Sequence, residues 1–272
     1  MLVALHRFST SVPWLRKMLA RLMYWFFARR FPHDEWRFMN YGSAPAGPRE
    51  SWFALESADE PDRYFIGPYR HLASAVDLAG RDVLEVGSGR GGGSSYLARY
   101  HAPRSVVGVD FSRRAIRLSH SLHRVPGLSF VWGDAVRLPF GNGSFDAVVN
   151  VESSHCYPSM AAFLGEVRRV LRPGGVFLFA DFRPSDGLDA LRGELGAAGL
   201  TVLRDTDITA DVLASLDDDG ARRLELMNRR MKGFLLGTFV QFAGLRGSKV
   251  YEDFSRGTKR YLAFVLRAPS GR

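Results

Sequence analysis

Short apolar runs and stretches of helical spacing alternate along the chain from residue 81 onward. RDVLEVG (81–87), SVVGVDFS (105–112) and LSFVWGDAV (128–136) are each typical of a buried strand. Segments such as RRAIRLSHSLHR (113–124) between them show the apolar spacing of an amphipathic helix. Strands that alternate with helices predict a parallel sheet with right-handed crossovers. Four later runs continue the strand pattern: FDAVVNVES (145–153), VFLFADF (176–182), LTVLRDTDI (200–208) and RYLAFVLRAP (260–269).

Two segments fall outside this alternation. Residues 209–256 predict a mainly helical insertion before the last strand, and the acidic DDDG at 217–220 indicates a solvated corner between two helices. Residues 34–58 are rich in turn formers and aromatic residues, which favours a connector that wraps the domain. We therefore expect an N-terminal helix and connector over residues 1–60 and one main domain over residues 61–272.

The N-terminal segment is basic and amphipathic. Residues 1–33 contain six Lys or Arg and no acid, and VPWLRKMLARLMYWFFARRF (12–31) places its apolar residues near helical spacing. Two interpretations stay open: a lid packed over the active site, or a helix that lies on an anionic membrane. No run reaches the roughly 20 apolar residues of a membrane span. We expect a cytoplasmic protein, with peripheral contact at the inner face of the membrane as the second interpretation.

The single cysteine, Cys156, narrows the chemistry. It excludes an internal disulfide framework and a cysteine-based zinc site, and it fits a reducing compartment. No group of His, Asp and Glu has convincing metal-ligand spacing, so we predict no metal. His101, His120 and His123 fall on helix or loop surfaces and are expected to be solvated.

The stretch VLEVGSGRGGGSSYLARY (83–100) joins a strand to a helix through a glycine cluster. Gly87, Gly89 and Gly92 fit the pattern G-x-G-x-x-G, in which backbone without Cβ atoms lies close to a ligand. That pattern alone suits a dinucleotide about as well as another nucleoside-bearing ligand. The acids beside it must decide between them.

Three carboxylates follow three predicted strands. Asp110 is placed to accept hydrogen bonds from ribose hydroxyls, and Asp134 from an adenine amine, with the backbone N–H of Ala135 near a ring nitrogen. Glu85 adds a third acid at the strand ends. Together these acids would repel a pyrophosphate but suit a sulfonium and an amino group. The set therefore indicates S-adenosylmethionine.

Five ordered motifs resemble those of class I S-adenosylmethionine-dependent methyltransferases. The resemblance implies their α/β fold, a Rossmann-like, doubly wound sheet that is mostly parallel with an antiparallel last strand. It also implies cofactor contacts from the matching positions. The motifs are E-x-G-S-G-x-G (85–91), VDFS (109–112), GDAVRLPF (133–140), SFDAVVNVESSHCY (144–157) and VRRVLRPGGVFLFADF (167–182). The expected cofactor residues are Glu85, Gly87, Ser88, Gly89, Gly91, Asp110, Phe111, Asp134, Ala135 and Asn150.

A closer resemblance, over about residues 34–272, is to the mycobacterial phthiotriolone/phenolphthiotriolone dimycocerosate methyltransferases, a family that also includes fatty-acid O-methyltransferases. It is carried by ALESADEPDRYFIGPYRHLA (54–73), the GGGSSYL loop, LHRVPGLSFVWGDA (122–135) and NVESSHCYP (150–158). It implies methyl transfer to a hydroxyl or carboxyl oxygen of a lipid. The alternative is a small-molecule methyltransferase that acts on a sugar, a quinone or another polyketide. NVES replaces the N-P-P-Y type motif of base methylation, so no nucleic-acid partner is expected.

His155 is the candidate general base, because it follows the fourth strand and titrates near neutrality. Asp181 follows the fifth strand, so both should reach one sheet edge, where the carboxylate can hold the imidazole ring. Glu152 is a second candidate base or a contact to the cofactor's amino group. Two aromatic-rich segments flank the site and suit an apolar acceptor. The acceptor-facing candidates are Tyr24, Trp25, Tyr64, Glu152 and Phe234, and Tyr64 is also a candidate contact to the cofactor carboxylate.

Overall fold

The computed structural model describes residues 36–44, 52–230 and 243–270. Its centre is a seven-stranded sheet of order β3-β2-β1-β4-β5-β7-β6. The first five strands along the chain pair in parallel, and β7 pairs antiparallel to both β5 and β6. The strands are β1 (Asp82–Val86), β2 (Ser105–Asp110), β3 (Leu128–Trp132), β4 (Phe145–Val151), β5 (Leu171–Pro184), β6 (Thr201–Asp207) and β7 (Lys259–Arg267). The predicted mostly parallel sheet with an antiparallel last strand is confirmed.

Helices cover both faces of the sheet. Successive strand residues point to opposite faces, so Val83 joins one buried apolar cluster and Leu84 joins the other. Similarly, Leu178 packs on the first side and Phe177 on the second. The described helices are α1 (Arg63–Ala73), α2 (Gly92–Tyr100), α3 (Arg113–Leu122), α4 (Met160–Val170), α5 (Leu188–Ala197), α6 (Thr209–Arg230) and α7 (Lys249–Ser255).

The strand order reverses between β1 and β4, which are neighbours in the sheet. In open α/β sheets, ligands bind beyond the carboxyl ends of the strands at such a switch point. The loops after β1, β2, β4 and β5 therefore converge on one edge. These four loops carry the glycine cluster, Asp110, His155 and the residues that follow Asp181.

The acidic run at 217–220 is not a corner between helices, so that prediction was wrong. It lies inside α6, which continues from Thr209 to Arg230. Asp219 is buried and forms ion pairs with Arg222 and Arg223, at 2.6 and 2.9 Å. Partners three and four positions along a helix lie on the same face, so the polar run is compatible with an unbroken helix.

The expected helical insertion is seen in α6 and α7, while residues 231–242 lie outside the described part of the chain. Within the described ranges, no helix is long and apolar enough to cross a membrane. The N-terminal helix predicted within residues 12–31 also lies outside those ranges, as do Tyr24, Trp25 and Phe234. Its role as a lid or a membrane contact stays a prediction.

Candidate active site

The glycine loop makes a tight turn between β1 and α2. The backbone N–H groups of Gly87 and Ser88 both donate to the Val109 carbonyl, at 2.8 and 3.0 Å. Gly87 and Gly91 have φ angles of 77° and 81°, a left-handed conformation that favours glycine. A Cβ at Gly87 would lie 2.4 Å from the Ser153 hydroxyl oxygen. The loop backbone is thus packed directly against the segment that follows β4.

Asp110 closes the loop from the end of β2. Its two carboxylate oxygens accept the backbone N–H groups of Gly89 and Ser112, at 2.9 and 2.8 Å. Burial raises the pKa of Asp110 to about 6, although both hydrogen bonds act against that rise. A carboxylate has about four lone-pair sites, so Asp110 can still accept ribose hydroxyls.

A cavity of about 580 Å³ adjoins Asp110. Phe111, Asp134 and Ala135, all predicted to hold the nucleoside, line it. Asp134 is fixed in a turn, in which its carbonyl accepts the Arg137 N–H at 2.9 Å. The cavity extends past Ser153 to Cys156, Tyr157 and Pro158. Apolar walls with a few acids at one end suit an adenosine.

A second cavity, of about 360 Å³, lies on the other side of the loop. Its floor is the glycine loop from Gly87 to Arg90, and its roof is formed by Arg37, Phe38, Met39 and Asn40. Gly87 and Ser153 line both cavities, so the two spaces meet there. One elongated ligand can therefore occupy both.

Two buried polar atoms beside these cavities have no hydrogen-bond partner among the described residues. They are the Ser88 hydroxyl oxygen and the Asn150 amide oxygen. The Asn150 amide nitrogen, by contrast, donates to the Val86 carbonyl and the Ser153 hydroxyl, at 2.8 and 2.7 Å. A buried polar atom without a partner costs about 1–3 kcal/mol. The two atoms therefore fit a site that receives a polar ligand such as S-adenosylmethionine.

Residues 36–44 form a strap over the second cavity. The Arg37 carbonyl accepts the Gly92 N–H at 3.2 Å, and the Tyr41 N–H donates to Glu152 at 2.9 Å. The Arg37 side chain forms ion pairs with Asp59 and Asp62, at 3.3 and 2.7 Å. Sequence reasoning recognised a wrapping connector here but did not identify its residues as cavity-lining.

Glu85 lies behind the loop. It is 1% exposed and accepts hydrogen bonds from Tyr69 at 2.7 Å and from the Ser94 hydroxyl. Burial raises the pKa of Glu85 to about 7, against the effect of these two hydrogen bonds. The structure thus places Glu85 where it ties α1 and α2 to β1, and its predicted contact with the cofactor stays a prediction.

Glu152 follows β4 with a φ of 48°, a left-handed conformation that is strained for this residue type. Its carboxylate lines the second cavity and accepts the Tyr41 N–H and the Tyr261 hydroxyl, at 2.9 and 3.1 Å. Burial raises the pKa of Glu152 to about 8. A buried carboxyl group beside the glycine loop is placed to meet a ligand's amino group.

His155 and Asp181 are brought together by a short turn after β4 (Ser154–Cys156) and by the end of β5. The His155 Nδ1 atom lies 2.9 Å from Asp181 Oδ1, and the imidazole ring packs on Phe182 with centroids 4.3 Å apart. Because Asp181 engages Nδ1, Nε2 is the ring nitrogen through which His155 can accept a proton. The next residue, Cys156, lines the larger cavity, so the pair lies beside the space that suits an adenosine.

Neighbouring charges shift the pKa values of both His155 and Asp181. The His155 side chain is 27% exposed and Asp181 is fully buried. Burial disfavours the imidazolium, but the neighbouring Cys156 sulfur and Asp181 carboxylate outweigh it and raise the pKa of His155. Burial also disfavours the Asp181 carboxylate, yet His155 and Arg183 hold the pKa of Asp181 well below its usual range. The pKa of His155 is thereby raised to about 10, so the pair favours the imidazolium at neutral pH.

Tyr64, a candidate contact to the acceptor or the cofactor, faces α6. It packs edge-on against Trp52 and donates to Asp218 at 3.2 Å, whereas Tyr69 lines the second cavity.

The prediction that His123 is solvated was wrong: it is buried and contacts the Arg90 carbonyl at 2.9 Å. Burial lowers the pKa of His123 to about 4.

No group of three or more His, Cys, Asp or Glu that could hold a metal ion occurs among the residues that the structure describes. The expected absence of a metal stays a prediction.

Comparison with known proteins identifies the family. Residues 84–179 match the family described as "Methyltransferase domain". The chain is 41% identical to the phthiotriol/phenolphthiotriol dimycocerosates methyltransferase of Mycobacterium tuberculosis, over 89% of this chain and 90% of that protein. It is 38% identical to a fatty-acid O-methyltransferase of Mycolicibacterium smegmatis, over 92% and 90% of the two chains.

Solved structures agree on the fold. Geranyl diphosphate C-methyltransferase from Streptomyces coelicolor, solved with S-adenosylhomocysteine, aligns with a TM-score of 0.65 at 17% identity, over 93% of this chain and 97% of that chain. At that identity the likeness concerns architecture alone. Together with the mycobacterial relatives, it confirms the class I fold. The chain belongs to the family of class I, S-adenosylmethionine-dependent methyltransferases that contains these mycobacterial enzymes.

Proposed function

We propose that this protein transfers the methyl group of S-adenosylmethionine to a hydroxyl oxygen of a lipid. The observation that carries the proposal is the His155–Asp181 pair, which lies next to the cofactor space. The names of the mycobacterial relatives support a lipid acceptor, and one of them specifies O-methylation.

The two cavities would hold the cofactor between them. The nucleoside would lie in the larger one, with Asp110 on the ribose and Asp134 with Ala135 on the adenine. The methionine part would pass Gly87 into the smaller cavity, where Ser88 and Asn150 would meet its polar groups and Glu152 its amino group. Two residues predicted from the motifs lie outside this arrangement: Glu85 stabilises the loop from behind, and Gly91 packs against Phe130 and His123.

Methyl transfer is an in-line displacement. The acceptor oxygen forms the new C–O bond as the bond from the methyl carbon to the sulfonium breaks, and the electron pair stays on sulfur. The acceptor proton moves to the neutral form of His155, whose population grows as the pH approaches the raised pKa of about 10, and Asp181 stabilises the resulting imidazolium. S-adenosylmethionine is already activated, so this chain has to align the acceptor, exclude water and take the proton.

The presence of a candidate base favours a hydroxyl acceptor. A fatty carboxylate needs no base, whereas an aliphatic hydroxyl does, which gives the His155–Asp181 pair its purpose.

The test is methyl transfer from isotopically labelled S-adenosylmethionine to four acceptors: a plain fatty acid, a 3-hydroxy fatty acid, a long-chain secondary alcohol and a rhamnosyl lipid. Mass spectrometry distinguishes methyl ethers from methyl esters. Ethers on hydroxylated lipids support the proposal. Esters on the plain fatty acid contradict it and favour the carboxyl chemistry named for one relative. No lipid product, with intact S-adenosylhomocysteine binding, favours a small-molecule acceptor.

A further inference from the structure

Asp181 is held by far more than His155. Its Oδ2 atom accepts the Ser154 hydroxyl at 2.5 Å and the His155 backbone N–H at 3.0 Å. Its Oδ1 atom accepts the Phe182 N–H at 2.8 Å, in addition to the imidazole. The Arg183 guanidinium forms an ion pair with Oδ2 at 3.1 Å. This carboxylate is fully buried, yet its acceptor sites are filled.

Arg183 and Ser154 complete a closed set of contacts around Oδ2. Arg183 Nη2 donates to the Ser154 hydroxyl oxygen at 2.6 Å, while Nη1 lies against Asp181. A hydroxyl has one hydrogen to donate, and here it points to Asp181. Arg183 Nη1 also donates to the Phe182 carbonyl at 2.7 Å, which fixes the guanidinium.

The alternation of side chains along β5 places Arg183 on the same side of the sheet as Asp181. Asp181 and Arg183 are two positions apart in β5, so their side chains leave the same face of the sheet. Ser154 lies in the same short turn as His155. We propose, on the basis of the proposed function, that Arg183 and Ser154 are positioning residues that fix Asp181 and limit how tightly His155 holds its proton.

Asp181 favours the imidazolium, and the pKa of His155 is raised even though Arg183 pairs with the same carboxylate. Without the guanidinium the ring would hold its proton more tightly still. The guanidinium shares the same carboxylate and adds a positive charge beside the ring, so it disfavours the imidazolium. Arg183 thereby limits the rise in the pKa of His155 that Asp181 causes.

Other charged or titratable groups around the His155–Asp181 pair stay constant in this experiment. Cys156 and Glu152 interact with His155, and Tyr41 and Tyr261 with the Asp181 charge. Lys259 lies over Phe182, on which the imidazole packs.

The experiment is an NMR titration of the His155 ring in the S-adenosylhomocysteine complex, together with the pH profile of kcat. Loss of the cation in Arg183→Met should raise the titration midpoint of His155 by about one pH unit. Turnover should then fall about tenfold on the acid side and recover at alkaline pH, which a purely structural defect would not allow. Arg183→Lys keeps the charge and should shift the midpoint less.

Ser154→Ala removes a donor from Asp181 and should shift the His155 midpoint in the same direction as Arg183→Met. It also keeps the test available if Arg183→Met does not fold. Arg204→Met, at an exposed arginine of the edge strand β6, is the matched control and should change nothing. An unaltered His155 midpoint in both Arg183→Met and Ser154→Ala would overturn the inference. Full turnover in His155→Ala would instead overturn the proposed function, and the titration would still report on Arg183.

Discussion

The Tyr41 backbone N–H donates to the Glu152 carboxylate at 2.9 Å and so joins the strap to the end of β4, across 111 positions of sequence. This contact buries a carboxyl group whose ordinary pKa of 4.5 rises to about 8. Between those two values the native chain holds a proton that the unfolded chain has lost. The contribution of Glu152 to stability is therefore fully present below about pH 4.5 and is lost as the pH rises through 8.

Glu152→Gln should remove the free-energy cost of ionising this buried carboxyl group on the alkaline side. The amide keeps an acceptor for Tyr41 and carries no charge, so we expect the free energy of unfolding at pH 8 to rise by about 1–3 kcal/mol. Urea titrations of the cofactor-free protein between pH 5 and 8 measure it. Glu225→Gln, at an exposed glutamate of α6, should leave the pH dependence as it is. An identical pH slope in Glu152→Gln and the parent would show that Glu152 is ionised in the folded chain.

Asp59 is the anchor of the strap. It is 1% exposed and accepts Arg99 at 2.5 and 3.0 Å, Tyr100 at 2.7 Å and Arg37 at 3.3 Å. Burial opposes its ionisation, but the hydrogen bonds from Arg99 and Tyr100 outweigh burial and lower the pKa of Asp59. Its stabilising contribution is thus present above the ordinary carboxyl pKa and is lost as the pH falls.

Asp59→Asn leaves Arg99 poorly paired, while Arg37 loses one of its two carboxylates and keeps Asp62, so we expect a loss of about 1–3 kcal/mol in stability. The strap should also open more often, and S-adenosylhomocysteine should dissociate several times faster in stopped-flow experiments. Glu56→Gln is the matched control, because Glu56 also contacts Arg99 but is largely exposed. Equal dissociation rates for Asp59→Asn and Glu56→Gln would show that the strap does not control how long S-adenosylhomocysteine stays bound.

His155→Ala should lower kcat on a hydroxyl acceptor by about 100-fold or more, since it removes the proposed base. Calorimetry should give an unchanged Kd for S-adenosylhomocysteine. His120→Ala, at an exposed histidine of α3, controls for the loss of an imidazole. A variant that retains the parent's turnover would exclude His155 from proton transfer.

Asp110→Ala should weaken S-adenosylhomocysteine binding at least about tenfold, because it removes the ribose acceptor and the bond to the Gly89 N–H. Calorimetry at pH 8 gives the affinity with the parent's carboxylate ionised. Asp189→Ala, at a fully exposed aspartate, serves as the control. Unchanged affinity in Asp110→Ala would place the ribose elsewhere.

Gly87→Ala tests the close packing of the loop. Its φ is positive, and the new Cβ would lie 2.4 Å from the Ser153 hydroxyl oxygen. Gly143 also has a positive φ, but nothing lies within 4 Å of its Cβ position. Gly143→Ala therefore carries the backbone cost alone. We expect Gly87→Ala to lose about 1–3 kcal/mol more in thermal unfolding and to bind the cofactor poorly. Equal losses in the two variants would show that the loop can shift.

The sequence pattern predicts the sheet well because buried parallel strands are long apolar runs bounded by glycine, proline and acids. It fails at 217–220, where the acids look like a turn until the arginines three and four positions later are matched to Asp219. Tyr64 and Tyr69 both lie on α1, and the sequence pattern does not show which one lines the second cavity until the strap and α6 are in place.

The candidate pair could be predicted, and its support could not. His155 follows β4 and Asp181 lies near the end of β5, so topology alone brings them to one edge. Arg183 can be predicted only when the alternation of side chains along β5 is also considered. For Ser154, the sequence offers nothing beyond its position next to His155. Contacts made by the strap, such as Tyr41 with Glu152, join distant parts of the chain and depend on the packed fold.

The strap bears on the rate at which the enzyme can work. The Gly92 N–H bond to the Arg37 carbonyl and the Tyr41 N–H bond to the Glu152 carboxylate hold it over the second cavity. With the methionine part of the cofactor there, as proposed, we expect opening of these bonds to set the rate at which spent cofactor leaves. By-product release would then compete with chemistry for control of turnover, whatever the acceptor is. Strong inhibition by S-adenosylhomocysteine is the property to expect of the purified enzyme.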